Sequence, residues 1–141
     1  MSSDSFSQSI DVRVVASGSA TDHRRLQGLL IVRNEAAWQA LLPELEWDLS
    51  PRLDTGIDWA TEMVIGYACG PRPEIQYEVR IEAVTATAEE VVVHVVEVHP
   101  TGISSPAMCN PIELVALAIT DLPVSAQVVV IADVDDAVGR I

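Results

Sequence analysis

The sequence predicts an α+β domain built mostly of antiparallel β-sheet, arranged as an open sheet, a sandwich or a small barrel, with one short helix in its N-terminal half. Three observations carry that expectation. Tyr77, Val79, Ile81 and Ala83 alternate with Glu78, Arg80 and Glu82, the two-residue period of a strand with one dry and one wet face. Several other apolar runs of strand length are cut off by glycine or proline. Only around Trp38 do apolar residues fall at helical spacing. A chain of 141 residues has room for one domain and for an apolar core that needs neither disulfides nor metal.

Taken along the chain, residues 1–9 hold Ser2, Ser3, Ser5, Ser7 and Ser9 and are expected to be a disordered tail. Val12, Val14, Val15 and Ala16 suit a first strand over Asp11–Ala16, and Ser17–Asp22 supplies turn residues. Leu29–Val32 is a second strand, ended by Arg33-Asn34. Asn34 suits a helix N-cap because its side-chain oxygen can accept from an orphan amide one turn on, and Glu35 adds negative charge at the positive end of the helix dipole. Trp38, Leu41, Leu42 and Leu45 then form one helical stripe. Pro43 clashes with the carbonyl four residues back, so the helix is expected to be short and to end near Leu42.

Trp47–Gly56 reads as a loop, and Met63–Cys69 as a strand buried on both faces. Gly70-Pro71-Arg72-Pro73 breaks it. Val91–Val98 is the expected antiparallel hairpin partner of the alternating strand, joined to it through Thr85–Glu90. Ile112–Ile119 and Ala126–Ala132 give two more strands, joined across Asp121-Leu122-Pro123. The domain is thus expected over residues 10–132, with an acidic C-terminal end over 133–141.

Charge excludes several functions. Eight basic residues against 21 acidic ones give a net charge of −13, which repels nucleic acid and anionic membrane surfaces. The longest mostly apolar stretch, Val91–Val98, is far too short to cross a bilayer as a helix. Met1–Gln8 has neither a basic region nor an apolar run, so the expected location is cytoplasmic, or extracytoplasmic if a leader has been removed. Cys69 and Cys109 are too few for a disulfide framework and read as buried thiols.

Catalytic and metal-binding patterns are weak. There is no Gly-x-Ser-x-Gly, and Cys109 lies in Met-Cys-Asn-Pro, unlike a cysteine nucleophile motif. His94 and His99 are five apart on a strand and leave opposite faces, so they cannot share one ion without a bulge. Asp133-Val134-Asp135-Asp136 lacks the glycine and the distant glutamate of a calcium loop. No glycine-rich phosphate loop occurs. Neither a catalytic residue nor a cofactor is expected. Trp38 and Trp59 read as core anchors, while Trp47, between Glu46 and Asp48, is either core or a surface contact.

The order of short motifs does resemble a known family. Val12–Ser17 running into Gly18, the stretch from Leu30 to Trp38, Ile57-Asp58-Trp59, Glu62–Ile65, Gly70-Pro71-Arg72-Pro73 with Tyr77 just beyond, and Pro111-x-x-Leu114-Val115-Ala116 are similar to the PrcB-like family over roughly residues 12 to 131. The family is named after a noncatalytic accessory subunit of a bacterial surface protease complex. The resemblance implies a small globular domain without known catalytic residues, and many members are exported. Where members read Arg-Pro-Thr-Gly-Gly-Tyr, this chain reads Arg72-Pro73-Glu74-Ile75-Gln76-Tyr77, so the loop must take another path.

The leading expectation is therefore a noncatalytic protein-binding or assembly module, an accessory partner of a protease in the sense of the family. Contact is expected through Arg72, Pro73, Glu74, Ile75 and Gln76, where two proline rings lower the entropy lost on docking. The partner is another protein or a second copy of the chain. Two alternatives stand beside it: a small hydrolase using Cys109 with His94 or His99, and a structural protein that self-associates by pairing an apolar edge strand across a two-fold axis.

Overall fold

The computed structural model describes residues 7–20, 26–49, 56–70, 77–99 and 110–132. Its elements in chain order are β1 (Gln8–Ser9), β2 (Arg13–Ala20), β3 (Gly28–Val32), α1 (Glu35–Leu49), β4 (Glu62–Ala68), β5 (Glu78–Ala86), β6 (Val91–His99), β7 (Asn110–Ala118) and β8 (Val124–Ala132). Two four-stranded sheets form, one ordered β1-β5-β6-β8 and the other β2-β7-β4-β3. The expected α+β, antiparallel-dominated class is what the chain adopts, as two open sheets rather than a closed barrel.

The sheets lie face to face, and α1 covers the other side of the β2-β7-β4-β3 sheet. Parity along the strands assigns each side chain to a layer. On β4, Met63 and Ile65 join Val84, Val93 and Val95 of the facing sheet in one core, while Val64 and Ala68 turn to a second core under the helix with Val15, Ile112 and Trp38. β7 behaves the same way, with Val115 and Leu117 on one side and Leu114 and Ala116 on the other. These two strands are apolar without alternation because both of their faces are dry.

Gly66 makes the close packing of β4 on β7 possible. A Cβ there would run into the Leu114 side chain and lie 2.9 Å from the Glu113 carbonyl oxygen. The helix begins as its sequence requires: Ala37 N–H donates to Asn34 Oδ1 at 2.8 Å, and Trp38 N–H to the Asn34 carbonyl at 3.1 Å. Trp38 is buried and meets Trp59 at 6.0 Å between ring centres, so both tryptophans are core residues.

Three details differ from expectation, and a fourth adds to it. The helix does not stop near Leu42 but continues through Pro43 to Leu49, which also moves Trp47 from a loop into the last turn. Pro43 and Gln39 lie on the exposed side. The carbonyl deprived of its donor therefore faces water, and the buried stripe of Trp38, Leu41 and Leu42 holds the helix in place. Gln8 and Ser9, expected in the tail, pair with Ala86 and Thr85 as β1. β2 runs on to Ala20 through the expected turn, with a register shift between Val14 and Ala16. Finally, β8 pairs with β6 in parallel. The chain visits the other sheet as β7 between them, so β8 returns in the direction of β6.

No helix among the described residues is long and apolar enough to cross a membrane.

Gly66→Ala should lower stability by about 1 to 3 kcal/mol, because the added methyl must displace β7. Urea unfolding should show this as a lower midpoint at unchanged slope.

Candidate functional site

The expected contact loop, Arg72 to Gln76, lies outside the described residues, as do Cys109 and the acidic segment 133–141. Its flanks, Gly70 and Tyr77, lie at the end of the sandwich that also holds Asn110, Glu97 and His99. Asn110, at the start of β7, is 2% exposed and works as a clamp there. Its Oδ1 accepts from Gly70 N–H at 2.8 Å, and its Nδ2 donates to the Leu26 carbonyl at 2.8 Å. One side chain thus ties together the end of β4, the approach to β3 and the start of β7. Gly70 has φ +85°, so glycine is required there by conformation; an added Cβ would meet the flexible, exposed Gln27 side chain, which can give way.

Two carboxylates penetrate the space between the sheets at this end. Glu113 of β7 accepts a 2.6 Å hydrogen bond at Oε1 from Ile81 N–H of the opposite sheet. The register of β5 on β6 shifts just after Ile81, which takes an amide out of the regular ladder. The carboxylate supplies the missing acceptor and joins the layers. Glu97 of β6 is 4% exposed, at the parity of Val91, Val93 and Val95. His99 Nε2 stands 3.2 Å from Glu97 Oε2, outside hydrogen-bonding angles, and the His99 ring packs on Tyr77 at 4.7 Å and 58°.

His94 is elsewhere. It leaves the opposite face of β6, where Nε2 lies 2.9 Å from Thr85 Oγ1. The two histidines are therefore divided by the sheet, as their odd spacing requires. Among the described residues no group of three His, Cys, Asp or Glu side chains is placed to hold a metal ion. Cys69 is a buried thiol within the inter-sheet core.

The other distinctive surface is the side of the sandwich formed by the edge strands β3 and β8, which pack on each other across the layers. Arg33, just after β3, fixes this side by donating from Nη2 to the Leu122 carbonyl ahead of β8 at 3.0 Å. Neither strand contains a charged residue. Val128, Val129, Val130 and Ile131 are 39%, 56%, 54% and 40% exposed, and Ile31 of β3 is 42% exposed. Beside β3, an open apolar cleft of about 290 Å³ lies against α1, lined by Leu30, Ile31, Val32, Ala37, Ala40 and Leu41.

Sequence reasoning identified β8 as a strand but not as an exposed one, because hydrophobicity does not reveal a missing neighbour. It also passed over Glu97 and Glu113. Their signal was present: each is a carboxylate at a core-facing position of an apolar strand.

Asn110→Ala should cost about 2 to 4 kcal/mol, since a buried N–H and a buried carbonyl both lose their partner. Glu113→Ala should cost about 1 to 3 kcal/mol, and Glu113→Gln less, because an amide oxygen can still accept. Amide hydrogen exchange at Ile81 is the specific check: it should accelerate in Glu113→Ala and stay close to the parent in Glu113→Gln.

No family model, no curated protein and no solved structure matches the chain, so its function is read from its own geometry.

Proposed function

We propose that the chain is a noncatalytic protein-binding or assembly module whose contact surface is the uncharged apolar side formed by β8 and β3. The observation that carries this reading is the row of exposed aliphatic side chains from Val128 to Ile131 on a nine-residue edge strand. An edge strand offers both unpaired backbone groups and side chains to another chain, and proteins normally blunt such edges. The resemblance to PrcB-like proteins supports a protein partner, with the accessory subunit of a protease complex as the model. The proline-stiffened segment Arg72, Pro73, Glu74, Ile75 and Gln76 is the second contact in this proposal. The net charge of −13 turns nucleic acid away and leaves protein as the natural partner class.

A photo-crosslinking amino acid placed at position 129, and separately at the exposed helix position 39, tests the proposal in the cells that make the protein. Position 129 should trap a discrete protein adduct, and position 39 should not. Equal trapping at both positions, or none at 129, would remove β8 as a contact surface.

A further inference from the structure

We infer that the partner of β8 is a second copy of this chain, paired antiparallel through a two-fold axis at Val128; this rests on the reading of β8 as the contact edge. The hydrogen-bonding direction of β8 follows from its pairing with β6. Val91 is opposite Val124, and Val91 N–H donates to the Pro123 carbonyl at 2.8 Å. In a parallel ladder this means that Pro123 and every second residue after it direct their peptide groups at β6. Val124, Ala126, Val128, Val130 and Ala132 direct theirs at the open edge.

Those five positions are symmetric about Val128. An antiparallel copy centred there sets Val128 against itself, Ala126 against Val130, and Val124 against Ala132. Each facing pair exchanges two backbone hydrogen bonds. The four-stranded sheet becomes one continuous sheet of twice the width, and the seam runs about 30 Å, the length of a nine-residue strand. The inner-face valines, Val128 and Val130, are half-exposed because the facing sheet ends at β3. The symmetric copy supplies the cover they lack.

The remaining edges show why this one is singled out. β1 is two residues long. β2 has a break in register between Val14 and Ala16. β3 is five residues long and starts at Gly28 with φ +87°. Each has a feature that discourages pairing. β8 is long, regular over its full register with β6 and free of charge. The edge also matches itself: no charged residue lies from Val124 to Ala132, and the pairs Val128–Val128, Ala126–Val130 and Val124–Ala132 each set one small aliphatic side chain against another. The net charge of −13 on each chain opposes the pairing and sets its salt dependence.

Sedimentation of the purified chain over about 1 to 500 µM should show a monomer–dimer equilibrium. The dimer should tighten as salt rises, because screening removes repulsion between the two acidic bodies. Val128→Lys and Val128→Glu should each weaken the dimer about tenfold or more by setting like charges opposite one another, and an equimolar mixture should recover it as a heterodimer. Val130→Pro gives an independent check. It removes an N–H directed at the open edge while keeping the bonds to β6, so circular dichroism should show a folded chain and sedimentation a monomer.

A folded chain that stays monomeric at high concentration and high salt overturns the inference. So does a dimer indifferent to both Val130→Pro and the Val128 pair. If the chain is monomeric while position 129 captures a different protein, the module reading survives and the two-fold pairing does not.

Discussion

Burial of β4 and β7 on both faces at once is the constraint from which the rest of the molecule follows. Met63, Ile65, Val115 and Leu117 need a dry layer on one side, and Val64, Leu114 and Ala116 need another on the other. One sheet and one helix cannot both lie on the same face, so the chain builds three layers. The facing sheet covers the first set, and α1 covers the second. That arrangement leaves no place in the covered interior of either strand for a charged side chain unless it finds a partner; Glu62, at the start of β4, pairs with Arg13 of the same sheet at 2.8 Å. Glu113 does so through Ile81 N–H. Gly66 is the corresponding concession in size, letting two fully covered strands lie close enough to share both cores.

Polar groups hold both ends of the sandwich. At one end Asn110 ties the strand termini through two hydrogen bonds, and His99 packs on Tyr77 beside Glu97; at the other, Arg13 of β2 donates to Glu62 Oε2 at 2.8 Å and to the Gly56 carbonyl at 2.9 Å. A buried polar group without a partner costs on the order of 1 to 3 kcal/mol, so these side chains specify the geometry more than they add net stability. The sides are governed by another rule. A sheet that does not close must leave edges, and the molecule shortens or interrupts three of them while leaving β8 regular.

Much of this was readable in the residues. The unbroken apolar run from Met63 to Cys69 announced a strand covered on both sides, the alternation from Tyr77 to Ile81 announced one covered on a single side, and Asn34 marked where the helix begins. Beyond Ile81 the register shift gives the dry face to Val84 and turns Ala83 outward beside His94. What escaped depends on partners distant in sequence. Pro43 is a helix breaker by its own chemistry, yet its position on the wet side of a well-packed stripe lets α1 continue. Gln8 and Ser9 have no local reason to be ordered and become a strand only because β5 offers an edge. The parallel course of β8 is decided by β7 passing through the other sheet, which no local pattern records. For the candidate site the gap is wider. Ala126–Ala132 resembles a core strand in composition, and only the sheet order reveals that its far side is open.

An acidic body with an uncharged seam is a coherent design rather than a contradiction. Exposed aliphatic strands ordinarily invite indiscriminate pairing, and the usual remedy is to place charge on the strand itself. Here the charge sits elsewhere. With 21 acidic residues against 8 basic ones, two such chains repel one another over roughly a Debye length in any orientation. In the proposed dimer, backbone pairing and aliphatic contact along β8 would have to outweigh that repulsion, so an uncharged strand is where close approach would cost least. A charge placed on β8 would add a like-charge contact at the two-fold axis, where the proposed pairing tolerates it least.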